Sequence, residues 1–204
     1  MKILSLLLLF GSAAPVVFSS PITFTFSGIG TGALNSTPFT NALFTVTSYA
    51  DTSSVVVVSG VIYQIPAISS SIDITGFSPA VFADSTYWED PQGSGDIAFH
   101  DATLNTTLLG FVQLFAGLET YQFQTSIGPV SSGAIFSPNI FPTFENIPTS
   151  QGSLTITSTS SNTFTAAVAP EPASQWLASA GFAALLLIAF QRRPGSAPNT
   201  KLNG

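Results

Sequence analysis

The sequence predicts an all-β fold, a single β-sandwich or jelly-roll-like domain, and three observations predict it. Apolar and polar residues alternate with period two in several short runs, which turns one side of each run to a core and the other to water. Glycines recur between the runs at spacings that suit hairpins and Greek-key connections. Before Ala173 no stretch has the 3.6-residue periodicity of an amphipathic helix. About 150 of the 204 residues lie between two apolar ends, the size of one domain with one core.

The elements follow in chain order. Lys2, the apolar run Ile3 to Phe10 broken only by Ser5, and the small residues of Gly11 to Ser20 predict a secretory signal peptide over residues 1–19. Cleavage is placed after Ser19, because cutting after Ala14 or Ser20 would leave a proline directly past the bond. The exported domain then covers residues 20–166. Ile22, Phe24 and Phe26 alternate with Thr23, Thr25 and Ser27 as a first strand, and Gly28, Gly30 and Gly32 punctuate the chain after it. Phe44 with Val46, Ile72 with Ile74, Leu154 with Ile156 and Phe164 with Ala166 repeat the alternation. Val55 to Val58 and Phe111 to Phe115 are apolar on both faces and are expected as central strands. The link to the C-terminal segment is expected at residues 167–170.

Charge narrows the function. From residue 3 to residue 191 there is no Lys or Arg, while Asp51, Asp73, Asp84, Glu89, Asp90, Asp96, Asp101, Glu119 and Glu145 give the domain a formal charge of minus nine. Such a surface has nothing to neutralise phosphate, so nucleic acid and anionic lipid are poor partners. A neutral polysaccharide, a divalent cation or a cationic partner suits it better. The missing lysine removes Schiff-base chemistry and Walker-type loops. The missing cysteine removes disulfides, thiolate metal sites and thiol nucleophiles.

The densest polar stretch runs from Asp84 to Asp101, where five acids sit among Tyr87, Trp88, Gly93, Gly95 and His100. Acids in a glycine-rich loop are suited to calcium, although the spacing matches no EF-hand. Tyr87 and Trp88 beside carboxylates are equally suited to stacking on a sugar, and burial in the core explains them as well. His100 is the single histidine, with no G-x-S-x-G elbow or H-E-x-x-H helix around it. A carboxylate pair such as Glu89 with Glu119 or Glu145 is the one hydrolytic arrangement left open. No residue is assigned a catalytic, cofactor-binding or metal-binding role.

At the C-terminal end Pro170, Glu171 and Pro172 precede an uncharged apolar run from Ala173 to Phe190, and Arg192 and Arg193 follow. The run reads as one membrane span with a basic stop that leaves the domain on the side away from the cytoplasm. This order of Pro-Glu-Pro, apolar helix and arginines resembles the PEP-CTERM sorting signal, here over residues 167–193, with residues 194–204 as a polar cytoplasmic extension. PITFTFSGIGTGAL at 21–34, NALFTVTSYAD at 41–51 and TSIGPVSSG at 125–133 are similar to one group of PEP-CTERM proteins. The resemblance implies an exosortase-type membrane protease as a partner that cuts at the tail. It also implies a product at the cell surface or in extracellular polysaccharide. The expectation is thus an exported structural or interaction protein that is not an enzyme, with a calcium- or glycan-binding module and a carboxylate-based hydrolase as the alternatives.

Overall fold

The computed structural model describes residues 19–103, 106–111, 118–132 and 144–170. The signal-peptide run Ile3 to Phe10, most of the expected strand at 111–115, the apolar run 173–190, Glu171, Pro172, Arg192, Arg193 and the extension 194–204 lie outside the described residues.

Among the described residues eleven strands form one curled antiparallel sheet. They are β1 (Pro21–Leu34), β2 (Thr37–Asp51), β3 (Val56–Val58), β4 (Ile62–Ile74), β5 (Ala80–Val81), β6 (Thr86–Pro91), β7 (Ile97–Asp101), β8 (Thr106–Phe111), β9 (Ile127–Ser132), β10 (Phe144–Thr149) and β11 (Gly152–Val168). The main path is β10-β11-β1-β2-β4-β6-β7-β8, so the early strands follow one another as a meander. The last strand, β11, returns by a long connection to lie beside β1. β3 continues the line of β2 along β4 after a 3-10 turn at Thr52–Ser54. β5 and β6 run in turn along the other side of β4.

The curl closes at one end. Phe82 bridges to Thr149, the Ala83 amide donates to the Pro148 carbonyl at 3.0 Å, and the Ser150 amide donates to the Val81 carbonyl at 2.8 Å. β5 thereby meets β10, and β10, β11, β1, β2, β4 and β5 form a ring. Inside it the alternating residues collect as one aromatic core. Trp88 of β6 lies 5.5 Å from Phe24 of β1, 5.2 Å from Phe164 of β11 and 4.9 Å from Phe99 of β7, ring centre to ring centre. Phe123 closes edge-on over Phe24 at 5.6 Å.

Several strands end where the sequence pattern did not put them. Gly28, Gly30 and Gly32 were expected to punctuate turns but lie within β1. A Cβ on Gly28 or Gly30 would sit 3.1 Å from the ring of Phe44, so the missing side chains make room for rings inside the curl. The turn itself is Asn35-Ser36, whose φ values of 49° and 65° give the type I′ geometry that matches strand twist. Val56 to Val58, expected in a central strand, form β3, which pairs only with β4 among the described residues and is exposed throughout. The Ser/Thr-rich stretch 158–163 is the middle of β11, with a bulge at Ser161 (φ 53°). β11 continues to Val168, so the link before the proline motif is shorter than the alternation suggested.

The first and last strands pair end to end. Ile22 faces Val168, and the Ala169 amide donates to the Pro21 carbonyl at 2.8 Å. The chain therefore enters and leaves the sheet at one end.

Candidate functional site

The acid-rich segment is a hairpin, and strand alternation divides it. In β6, Thr86, Trp88 and Asp90 turn inward while Tyr87 and Glu89 turn outward; in β7, Ile97, Phe99 and Asp101 turn inward while His100 turns outward. Trp88 is fully buried, so it is part of the core and offers no ring to a sugar.

The outward residues form a row. Pro66, Tyr87, His100 and Thr107 are successive cross-strand partners on β4, β6, β7 and β8. The Tyr87 and His100 rings stack at 4.7 Å with 6° between their planes. His100 Nδ1 lies 3.2 Å from Thr107 Oγ1. Its Nε2 is buried without a hydrogen-bond partner, 3.9 Å from Glu89 Oε1. Gln64 Nε2 donates to the other Glu89 oxygen at 2.7 Å. Burial lowers the His100 pKa against the opposing pull of Glu89, so the ring is neutral at neutral pH. Burial, helped by Glu89, raises the Tyr87 pKa and keeps the phenol protonated.

Hydroxyl, imidazole and carboxylate thus occur in sequence, but 3.9 Å is too long for a carboxylate to orient the imidazole by a hydrogen bond. What the row does is hold the Tyr87 ring flat against a neutral partner. Beside that ring opens a groove of about 520 Å³, lined by Val56, Gln64, Pro66, Ala67, Ser85 and Tyr87 among others. Aliphatic faces alternate there with an amide, hydroxyls and a phenol, and no charged side chain among the described residues lines it. Such a surface matches a neutral molecule with an apolar face and hydroxyl edges.

The inward acids occupy two separate places. Asp101 is buried next to the segment after β7, where its Oδ1 accepts from the Thr103 amide at 2.7 Å. Asp90 is buried at the other end of β6, four residues from the Thr86 that faces Asp101, or about 13 Å along the strand. Asp90 Oδ1 has no hydrogen-bond partner, and Oδ2 is 3.4 Å from Gln92 Nε2, whose better bond is to the Tyr121 carbonyl at 2.6 Å. Burial first, then the charge of Asp96, raises the Asp90 pKa to about 7. Tyr121, which donates to the Thr125 carbonyl at 3.0 Å, is pushed upward by burial and by Asp90.

Asp84, Glu89, Asp90 and Asp101 therefore do not gather round one loop. No three acids or histidines among the described residues stand close enough to share an ion. A calcium loop over residues 84–101 needs such a gathering, and strand alternation is what prevents it. Of the expected carboxylate pairs, Glu89 lies on the outer face, Glu119 lies in a turn whose carbonyl receives the Gly93 amide at 2.9 Å, and the Glu145 side chain is outside the description. Pro170 is exposed and is the last residue described, just past β11; the other four sorting-signal residues, Glu171, Pro172, Arg192 and Arg193, lie beyond it. The stacking of Tyr87 on His100 was missed in the sequence because it joins residues 13 apart, although two outward-facing rings on paired strands were the available signal.

Comparison with protein-family models, curated proteins and solved structures finds no match to this chain.

Proposed function

We propose that the chain is an exported, membrane-held precursor whose β-sandwich, made by the two halves of the curled sheet, ends at the cell surface or in the extracellular matrix. An exosortase-type membrane protease cuts it at Pro170-Glu171-Pro172. The product is a structural or interaction protein, and the reading assigns it no catalytic step.

One observation carries this reading: both expected cutting points fall just outside the sheet. β11 is complete at Val168, two residues before Pro170, and β1 begins at Pro21, two residues after Ser19. Ser20, the first residue left by the N-terminal cut, is tied to Thr52 by two hydrogen bonds, its amide to Thr52 Oγ1 at 3.1 Å and its carbonyl to the Thr52 amide at 3.0 Å. Removing both ends thus leaves the strand pairings of the described residues in place. The charge of minus nine and the missing cations fit a matrix of neutral polymer better than one of nucleic acid.

The test is intact mass with terminal sequencing of the protein from its native host, with and without the protease. The expected product starts at Ser20 and ends near Pro170 only where the protease is present. A chain that still ends at Gly204 in both strains overturns the sorting reading.

A second reading, a neutral-glycan module, is favoured by the Tyr87–His100 stack at the edge of the uncharged groove. Stacking on one aromatic ring contributes much of the affinity of a shallow sugar site. Tyr87→Ala is expected to abolish retention on a neutral polysaccharide gel while leaving the melting temperature within a few degrees; undiminished retention would sink the reading.

A further inference from the structure

β5 and β6 lie on the same side of β4 but not against the same residues. β6 pairs with residues 62–66 and β5 with Ser71 and Ile72, so Ala67, Ile68 and Ser69 have no strand partner on that side among the described residues. The chain between β5 and β6 is drawn off toward β10 instead. The Ala83 amide donates to the Pro148 carbonyl at 3.0 Å, and the Val81 amide donates to Ser150 Oγ at 3.0 Å. On the other side of β4 a bulge opposite Tyr49 and Ala50 adds Ile68, which is exposed. The sheet is therefore split beside Ala67.

The split holds a cavity of about 240 Å³ lined by Ile68, Ser69, Ser70, Asp84, Ser85 and Thr86 among others. It adjoins the Tyr87 groove, since Ala67, Ser85 and Thr86 line both. The two differ in chemistry: the groove presents Val56, Pro66 and Tyr87, whereas the smaller cavity presents hydroxyls and a carboxylate. Ser70 Oγ, buried, is bonded to Ser48 Oγ at 2.8 Å and to Thr86 Oγ1 at 2.7 Å, so these hydroxyls are satisfied among themselves. Asp84 is half-buried and makes no hydrogen bond or ion pair with the described residues. It is the only charged side chain among the described residues that line either cavity. The domain offers it no counter-charge, because residues 3–191 contain no Lys or Arg and the single histidine is stacked on Tyr87.

A bare carboxylate in a hollow of hydroxyls needs a donor from outside. The other carboxylates of the domain keep the potential around it negative, which draws cations and repels anions. Asp84 and Tyr87 are three residues apart, at most about 11 Å between α-carbons, a span that a disaccharide covers. We propose that the two cavities are one site for an amino-sugar polymer, with a glucosamine-type ammonium on Asp84 and the adjoining sugar ring against Tyr87. This rests on the glycan reading of the Tyr87 groove and adds to it the charge of the ligand. The ammonium donates a charge-assisted hydrogen bond to the Asp84 carboxylate. Ser69 and Ser85, both exposed, meet the sugar hydroxyls beside it.

Calorimetry on full-length protein in phosphatidylcholine nanodiscs tests the site, with a chitosan tetramer and its fully N-acetylated counterpart as probes. At about pH 5.5, below the range of amines, the first carries ammonium on its units and the second is neutral. The chitosan tetramer is expected to bind about tenfold tighter, as a hydrogen bond between charged groups allows. Asp84→Asn is expected to erase that preference while keeping the affinity for the acetylated tetramer. Asp73→Asn removes one charge at an exposed position outside both cavities and is expected to keep the preference. Binding of the acetylated tetramer at least as tightly as the chitosan tetramer overturns the amine and leaves the glycan reading standing. A preference that survives Asp84→Asn, or that Asp73→Asn removes as fully, reports the acidic surface as a whole and overturns the site. Binding of neither tetramer also overturns it, and retention on the neutral gel then decides the glycan reading by itself.

Discussion

Asp90 is a carboxylic acid kept where ionisation is unfavourable. Its side chain is buried, one oxygen has no hydrogen-bond partner, and Asp96 adds a like charge, so its pKa rises from 3.8 to about 7. Between these values the folded protein holds a proton that the unfolded chain has released. Its contribution is therefore full below pH ~4, falls as pH rises, and is gone above pH ~7, a change of at most about 4 kcal/mol. Asp90→Asn keeps the shape and removes the charge. It is expected to melt higher than the parent at pH 8 and to show a flatter profile between pH 4 and pH 8; a variant with the parent's pH slope would mean that Asp90 is not the titrating group. Asp51 behaves in the opposite way, since bonds from Ser19 and Ser53 lower its pKa and favour its charge. The sequence located both acids, but only strand alternation and the neighbours across the sheet separate the buried one from the wet one.

At the scale of the element, β1 and β11 are fitted to one another by an absence and a bulge. The bulge on β11 turns Asn162 inward, fully buried, with Nδ2 bonded to Thr159 Oγ1 at 3.0 Å. Opposite it, a Cβ on Gly28 would lie 2.2 Å from Asn162 Oδ1, a distance no packing tolerates. Gly28→Ala is expected to destabilise the domain by about 1–3 kcal/mol in urea unfolding, as overpacking does. Gly128→Ala, with nothing within 4 Å of the added carbon, is the control and should be near neutral. This explains why glycine misled the sequence reading. A glycine that empties space beneath Phe44 and one that opens a turn look alike in sequence, and only the partner strand tells them apart. The strands Ile22 to Phe26 and Leu154 to Ile156 were legible because each has one wet and one dry face. Val56 to Val58 was not, because an unbroken apolar run fits a central strand and an exposed outer strand equally.

At the scale of the whole molecule, all-β character and a single core were readable from alternation, and the near-closed curl was not. The curl depends on contacts such as Phe82 with Thr149, 67 residues apart and outside any pattern. The candidate groove was half legible: Tyr87 was singled out, whereas Trp88 belongs to the core and His100 supports the half-buried Tyr87 ring from behind. The adjacency of chain entry and exit was invisible in sequence, and it gives the processing experiment its force, since both cuts leave Ile22 to Val168 paired as before.

β11 also decides how the domain meets a mechanical load. It leaves the sheet at Val168 along its own axis, flanked by β1 on one side and by β9 and β10 on the other. A pull transmitted through the tail runs parallel to the strand and across its hydrogen bonds, which antiparallel ladders set perpendicular to the chain. The bonds of two ladders then share the strain in shear and do not open one at a time like a zip. A domain pulled through that strand is gripped by a long element paired on both sides.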